Sequence, residues 1–146
     1  MVERTNNSAK ITATTNKAGT LYYLVQDADE AAPDAAAIQE KGKSVEAVEG
    51  ENTLELADLT KDGYKVYMLL KQEDGAVSAI RNVALAELWT TGDVNKDEVV
   101  DLTDVVMLLD KVTDNEKVSL TIGDINGDGK VDMTDVSALL DNLTEK

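Results

Sequence analysis

Histidine and cysteine are both absent from this sequence of 146 residues. Without them the chain cannot build a Ser-His-Asp or Cys-His catalytic unit, a cysteine/histidine zinc site or a disulfide framework. Basic residues are scarce as well, since 14 Lys and Arg stand against 29 Asp and Glu, for a net charge of −15. Few cations are available to neutralise phosphate, which argues against nucleic acid and anionic membranes as partners.

Long apolar runs are also missing. No stretch approaches the roughly 20 apolar residues of a membrane span, so we expect no membrane insertion, and Met1–Lys10 is too polar for a signal peptide. The apolar content of 42% is nevertheless enough for a folded core. The chemistry that remains open to this composition is that of oxygen ligands.

The acidic residues are concentrated toward the end of the sequence. Residues 1–89 carry 15 acids and 9 bases, a net charge of −6, whereas residues 90–146 carry 14 acids and 5 bases, a net charge of −9. Near Trp89, short apolar runs separated by turn residues give way to Asp- and Asn-rich loops followed by helix-like segments. We therefore predict two domains, residues 1–89 and residues 90–146.

The first domain has the short strands and regular turn signals of a β-sandwich. Strands are predicted around residues 11–14, 21–25, 45–48, 52–56 and 64–70, and residues 76–88 are expected to complete the domain. A short helix is predicted after Pro33-Asp34 and ends at Gly42. Asp74-Gly75 is a hairpin turn signal.

The segment Leu59–Tyr67 resembles the corner of immunoglobulin-like and fibronectin type III domains, where a tyrosine near a strand start hydrogen-bonds back to the preceding turn. Tyr64 takes that place, and it is predicted to share one strand face with Val66, Met68 and Leu70. The resemblance implies an all-β, immunoglobulin-like sandwich. Four tyrosines of this domain could also form an exposed platform on which a carbohydrate stacks. The opposing interpretation is that at least two of them are core or corner residues. The members of the platform would be Tyr22, Tyr23, Tyr64 and Tyr67.

An internal repeat dominates the second domain. Residues 92–110 (GDVNKDEVVDLTDVVMLLD) align with residues 123–141 (GDINGDGKVDMTDVSALLD) at an offset of 31, and twelve of the 19 positions are identical. Chance similarity would not concentrate on carboxylates, yet four of them recur in register. Asp93, Asp97, Asp101 and Asp104 reappear as Asp124, Asp128, Asp132 and Asp135.

This spacing matches what a calcium ion requires. Ca²⁺ takes six to eight oxygen ligands at about 2.3–2.6 Å, supplied by loop positions one, three, five, seven (a backbone carbonyl), nine (often through water) and twelve. In the first loop these positions are Asp93, Asn95, Asp97, Val99 (carbonyl), Asp101 and Asp104. In the second loop they are Asp124, Asn126, Asp128, Lys130 (carbonyl), Asp132 and Asp135. We predict two calcium ions, whose four positive charges would change the net charge of residues 90–146 from −9 to −5.

The two loops depart from the calmodulin-type EF-hand in two ways. Position twelve is Asp in both, where that type has a longer Glu. Position six favours glycine because the turn prefers a positive φ, and it is Gly129 in the second loop but Glu98 in the first. We therefore predict that the first loop binds calcium more weakly than the second.

Each loop is followed by an apolar helix but is not preceded by one, so the unit is a loop and a helix used twice. The pattern G-D-[VI]-N-x-D, then [VI]-D-x-[ST]-D and an apolar helix, closely resembles the dockerin family from Gly92 to about Leu143. The resemblance implies an all-α second domain with two EF-hand-like calcium motifs, preceded by a sandwich similar to the supporting X-modules of scaffold proteins.

The same resemblance implies a function. Dockerins bind, with calcium, the cohesin module of a scaffoldin or a cell-surface anchoring protein, and so attach their parent protein to a cellulosome. We accordingly expect an extracellular, cell-surface-associated chain of an anaerobic bacterium. It should be a monomer or form a 1:1 complex with cohesin, and any glycoside hydrolase activity is expected to belong to the parent protein.

The helices after the loops carry more apolar surface than a small core needs. We predict two stripes that pair as the core: Leu102, Val105, Val106, Leu109 and Val112, with Met133, Val136, Leu140 and Leu143. The remaining apolar residues are predicted to face the partner, flanked by polar ones. This predicted partner face consists of Thr103, Met107, Leu108, Asp110, Thr134, Ala138, Leu139 and Asp141.

Three other functions are compatible with parts of the pattern. A calcium sensor or buffer of the EF-hand class would need entering helices, which are not visible. Paired carboxylates could run glycoside hydrolysis, but the obvious Asp pairs are committed to metal. A carbohydrate-binding sandwich fused to a dockerin is the third alternative.

Overall fold

The computed structural model describes residues 1–145 and divides into two units, of which the first ends at Leu88 and the second begins at Trp89. The first unit contains seven strands and one short helix. In chain order they are β1 (Val2–Arg4), β2 (Ala9–Thr15), β3 (Gly19–Asp27), α1 (Ala35–Lys41), β4 (Lys43–Ala47), β5 (Gly50–Leu56), β6 (Tyr64–Gln72) and β7 (Arg81–Leu85).

The strands form two antiparallel sheets, with strand orders β1-β2-β5 and β4-β3-β6-β7. Alternate residues of facing strands fill the space between them, including Ile11 of β2, Leu54 of β5 and Val66 of β6. As predicted, Met68 and Leu70 lie on the same core face as Val66. The unit is a two-sheet sandwich, consistent with an immunoglobulin-like module.

Helix α1 confirms the predicted short helix and covers the outer face of the second sheet. Asp34 caps its start by accepting a hydrogen bond of 2.8 Å from the Ala37 N–H. Its chain then turns at Gly42, where a Cβ would lie 2.3 Å from the carbonyl oxygen of Ile38, so only glycine fits. Ile38 is buried against Tyr67 and Leu69 of β6, and β6 is thus packed on both faces.

The second unit is not all-α, which corrects the predicted fold class. Its helices are α2 (Leu102–Thr113), α3 (Leu120–Gly123, four residues) and α4 (Met133–Thr144), and the rest of residues 89–145 is loop. The repeated loops cannot be helical because their amides bond to side-chain oxygens instead of to the carbonyl four residues earlier. Among residues 1–145, every helix is too short or too polar to cross a bilayer.

The core of the second unit is formed by faces of α2 and α4 that overlap the predicted stripes in part, since Val105, Val112, Val136 and Leu143 belong to it or pack against it. Val105 and Leu108 of α2 and Val136 and Leu139 of α4 are buried together with Ile122. Five residues assigned to the core are exposed instead, and for them the prediction was wrong. They are Leu102, Val106, Leu109, Met133 and Leu140.

The rotation of the helices has a definite cause. Asp104 and Asp135, in the first turns of α2 and α4, are both fully buried in their loops. Once Asp104 points inward, Leu108, four positions later, lies on the same helical face and is directed to the core. Val105, three positions before Leu108, shares that face with it. The apolar pattern alone permitted two stripes, and the buried carboxylate selects between them.

Candidate metal centre

The first loop is wrapped around side-chain oxygens at positions one, three and five. Asp93 accepts hydrogen bonds from the amides of Asp97 and Glu98, both at 3.1 Å, one on each carboxylate oxygen. The side-chain oxygen of Asn95 accepts from the amide of Asp97 at 2.9 Å, and Asp97 accepts from the Val99 amide at 2.8 Å. These three predicted ligands therefore all turn their oxygens into the loop.

Asp104, at position twelve, closes the loop onto the helix. Its Oδ1 accepts from the amides of Val94 at 2.7 Å and Asn95 at 3.0 Å, and its Oδ2 accepts from the amide of Asp101 at 2.9 Å. The carboxylate thus bonds to both ends of the loop while its backbone belongs to α2. Asp101, the N-cap of α2, forms a capping box with Asp104, since each side chain accepts from the backbone amide of the other. Asp101 also accepts from the Thr103 amide at 2.7 Å.

The second loop repeats this frame. Asp124 accepts from the amide of Asp128 at 3.0 Å and from that of Gly129 at 2.9 Å, and Asn126 and Asp128 accept as their counterparts do. Asp135 accepts from Ile125, Asn126 and Asp132 at 2.9, 3.2 and 2.8 Å. The residues at positions one, three, five and twelve therefore accept the same backbone hydrogen bonds in both loops.

The residues predicted at positions seven and nine lie differently. Val99 and Lys130 have exposed side chains, so only their backbone carbonyls are offered in the prediction. Asp101 and Asp132 are N-caps of α2 and α4. Asp101 accepts hydrogen bonds from the hydroxyl and the amide of Thr103, and Asp132 accepts the same two bonds from Thr134. These bonds hold the pKa of each carboxyl below its ordinary value.

Both loops use a left-handed backbone at two positions. At position six φ is 72° for Glu98 and 84° for Gly129, and at position four it is 62° for Lys96 and 78° for Gly127. The requirement at position six was predicted. The positive φ at position four was not predicted. Comparison of the two copies could have indicated it, since the second loop has glycine at both position four and position six.

The donor set fits a hard divalent cation. Asp93, Asp104 and Asp135 expose at most 1% of their surface, and buried carboxylates require compensation by hydrogen bonds or by a cation. Within residues 1–145, no group of three or more acidic side chains is arranged so that it could hold a metal ion. The Oδ2 atoms of Asp104 and Asp135 each accept one amide hydrogen bond and keep a second lone pair, so they retain capacity for a metal.

The predicted partner face divides into exposed and buried residues. Thr103, Met107 and Asp110 of α2 are exposed. On α4, Thr134 and Asp141 are exposed and Ala138 is half-buried. The prediction was wrong for the two leucines, since the exposed fractions of Leu108 and Leu139 are 0% and 2%. Both belong to the core because the inward Asp104 and Asp135 fix the helix rotation.

The tyrosine corner of the sandwich is confirmed. The Tyr64 hydroxyl lies 2.7 Å from the Thr60 hydroxyl and accepts from the Thr60 amide at 3.3 Å. Arg4 packs over the Tyr64 ring, 5.5 Å from its centroid, and donates to the carbonyls of Thr60, Asp62 and Ala86. Burial lowers the pKa of this guanidinium.

The carbohydrate-stacking platform is not formed by the four tyrosines. Tyr23 is buried between the sheets, and Tyr67 is buried beneath α1. Two of the four rings are therefore core residues and cannot present a face to a sugar.

Fold and site together define the second unit as a duplicated loop–helix module of the EF-hand type. Residues 91–144 match the family model of the dockerin type I domain, and the second unit is a dockerin domain. Domains of this family bind calcium, dock onto cohesins in a calcium-dependent way and are not catalytic, and they occur in secreted cellulosome components. The preceding sandwich is consistent with an X-module. Neither a curated protein nor a solved structure was found to match the chain.

Proposed function

We propose that this chain docks its parent protein onto the cohesin of a scaffoldin or a cell-surface anchoring protein, in a polysaccharide-degrading complex outside an anaerobic bacterial cell. Residues 90–146 would be the docking domain and residues 1–89 a supporting X-module, in a 1:1 complex. The observation that carries the proposal is the duplication of one hydrogen-bonded frame, in which Asp93 and Asp124 open the loops and Asp104 and Asp135 close them.

Two calcium ions are proposed, one in each loop. The residues that would hold them are Asp93, Asn95, Asp97, Val99, Asp101 and Asp104, and Asp124, Asn126, Asp128, Lys130, Asp132 and Asp135. The ions would supply positive charge to the most acidic part of the chain. The protein contributes the oriented oxygens and the amides that hold them.

The closing carboxylates connect the loops to the docking surface. Asp104 and Asp135 are anchored in the loops, and they fix how α2 and α4 are rotated. This rotation buries Leu108 and Leu139 and exposes a different row on each helix. If a loop without calcium loses these hydrogen bonds, its helix is no longer held in this orientation. We therefore expect cohesin binding to require calcium.

We term the proposed docking face the α2/α4 face. It omits the two buried leucines of the predicted partner face, retains the other residues of that set and adds the exposed apolar residues of both helices. Fully burying one such side chain contributes roughly 1.5–3 kcal/mol, so a few can centre an interface. Its apolar members are Leu102, Val106, Met107, Leu109, Met133, Ala138 and Leu140, and its polar members are Thr103, Asp110, Thr134 and Asp141.

The two halves of the α2/α4 face are not equivalent. Val106 and Met107 of α2 correspond in the repeat to Ser137 and Ala138 of α4. The exposed fraction of Val106 is 58%, so α2 presents apolar area that α4 lacks. Because the two copies are so similar, the module could bind in two orientations related by a rotation of about 180°. We propose that α2 contributes the dominant anchors and that one of these two orientations therefore prevails.

A panel of cohesins tests the proposal by calorimetry with the full chain, in calcium and in chelator. Val106→Asp should weaken cohesin binding at least tenfold, because it places a charge at the centre of the face. Ser137→Asp, at the matched position of α4, should have a much smaller effect, and calcium affinity should change little in either variant. Cohesin binding that persists in chelator, or that tolerates Val106→Asp, would refute this function.

A further inference from the structure

The single tryptophan of the chain lies next to the first loop, outside the segment that matches the dockerin family model. Trp89 is half-buried and packs against the core of the second unit. Its indole ring also faces the loop, since the Nζ atom of Lys96 lies 5.6 Å from the ring centroid. This distance is within the range of a cation–π interaction.

Lys96 occupies a demanding position. It is residue four of the first loop, between the predicted ligands Asn95 and Asp97, and its φ is 62°. An L-residue adopts this left-handed conformation at a cost, which glycine avoids. A contact that is available only in this conformation would offset that cost.

The second copy has neither half of this contact. Applying the repeat offset of 31 residues, Leu120 corresponds to Trp89 and Gly127 corresponds to Lys96. Leu120 is 55% exposed, and Gly127 reaches its φ of 78° without a side chain to restrain it. The two loops therefore reach the same backbone shape by different means.

We propose that Trp89 is a positioning residue of the first calcium loop, and that by holding Lys96 over its ring it stabilises the left-handed backbone at position four and raises the calcium affinity of that loop alone. This inference rests on the proposed calcium binding by the first loop. The second loop needs no such residue, because Gly127 adopts the conformation freely.

The entry to the first loop is built to hold the ring close. Before the loop, the Thr91 hydroxyl donates to the carbonyl of Thr121 at 2.8 Å, and the Gly92 amide donates to the carbonyl of Ile122 at 2.8 Å. The amide of Asp93 donates to the carbonyl of Thr90 at 3.1 Å. These bonds fix the chain between Trp89 and the loop, which keeps the attachment point of the ring close to the loop.

The experiment measures calcium binding to each loop separately in the full chain. Amide NMR signals in chelator-buffered calcium report on each loop separately. The amides of Glu98 and Gly129 are matched reporters, because they make equivalent hydrogen bonds to Asp93 and Asp124. Trp89→Leu should lower the affinity of the first loop about two- to fivefold and leave the second unchanged. Trp89→Phe, which keeps an aromatic face, should recover most of the loss.

The variant Lys96→Gly provides the decisive background, because it gives the first loop the residue that the second loop has. Since this variant has no strain at position four, adding Trp89→Leu to it should have no effect on calcium affinity, so the two substitutions should be strongly non-additive. Equal loss in both loops would show that Trp89 only packs the core, and an undiminished effect in the Lys96→Gly background would show that it acts elsewhere. Either result overturns the inference.

The proposed function fails in a distinguishable way. If neither loop of the unsubstituted chain responds to calcium, both the proposal of calcium-dependent docking and this inference are refuted. If both loops respond and Trp89→Leu changes nothing, only the inference is refuted. Tryptophan fluorescence gives a second readout, since Trp89 packs against the core of this unit, and its response to calcium should be reduced in Asp93→Ala.

Discussion

Relief of backbone strain at position six of the first loop should tighten calcium binding there. Glu98 adopts a φ of 72° where the second loop has Gly129 at 84°. A residue other than glycine pays about 1 kcal/mol for this conformation, which corresponds to about fivefold in affinity. Because a loop without calcium is free to leave this conformation, removal of the strain should appear in the calcium affinity.

Charge must be separated from conformation in this test. Replacing Glu98 by glycine also removes a negative charge near the ion, which by itself weakens cation binding. Glu98→Gln removes the same charge but keeps the side chain. The ratio of calcium affinities between Glu98→Gly and Glu98→Gln therefore isolates the backbone contribution, and we expect it to be about fivefold in favour of glycine.

The second loop supplies the reciprocal experiment. Gly129→Gln should lower the affinity of that loop by a similar factor, and in the unsubstituted chain the first loop should be the weaker one. Calorimetric titration of the full chain measures these constants. Equal affinities for Glu98→Gly and Glu98→Gln, or a first loop that proves the tighter one, would refute the reasoning from φ.

Three further predictions concern stability. Tyr64→Phe should destabilise the sandwich by about 1 kcal/mol in thermal unfolding, because the hydroxyl bonds of the corner are lost, whereas the control Tyr22→Phe should cost less. Leu108→Ala should destabilise the dockerin by about 2–5 kcal/mol in denaturant titrations with calcium, whereas exposed Leu109→Ala should cost under about 1 kcal/mol. Chelation should disorder residues 92–143 while the sandwich survives, and an unchanged circular dichroism spectrum would contradict this.

Much of the sandwich was predictable because its signals are local. The alternation of Tyr64, Val66 and Met68 has the two-residue period of a strand, and Pro33-Asp34 and Gly42 mark the ends of a helix. The three residues of β1 are too few to show any period, so that strand was missed. Residues 76–88 were expected to complete the domain, but only Arg81–Leu85 within them form β7.

The candidate site was predictable in its residues but not in its helix faces. Duplication identified the loop carboxylates, because an acidic pattern that recurs in register points to a common ligand. The apolar residues of α2 surround most of the helix, so periodicity could not distinguish Val105 and Leu108 from Val106 and Leu109. The signal in the sequence is Asp104: a predicted ligand on the first helical turn is expected to face the loop, and this sets the rotation of the helix.

Arg4 gives the sandwich a mechanical property. It belongs to the first strand of the unit, yet its guanidinium donates to Ala86, close to the residue where the unit ends. Both ends of the sandwich are thus fastened at one corner. A pulling force applied to the first strand and to the chain after Ala86 would act on the hydrogen bonds between this guanidinium and its three carbonyls. Arg4→Ala should therefore lower the force at which the sandwich unfolds.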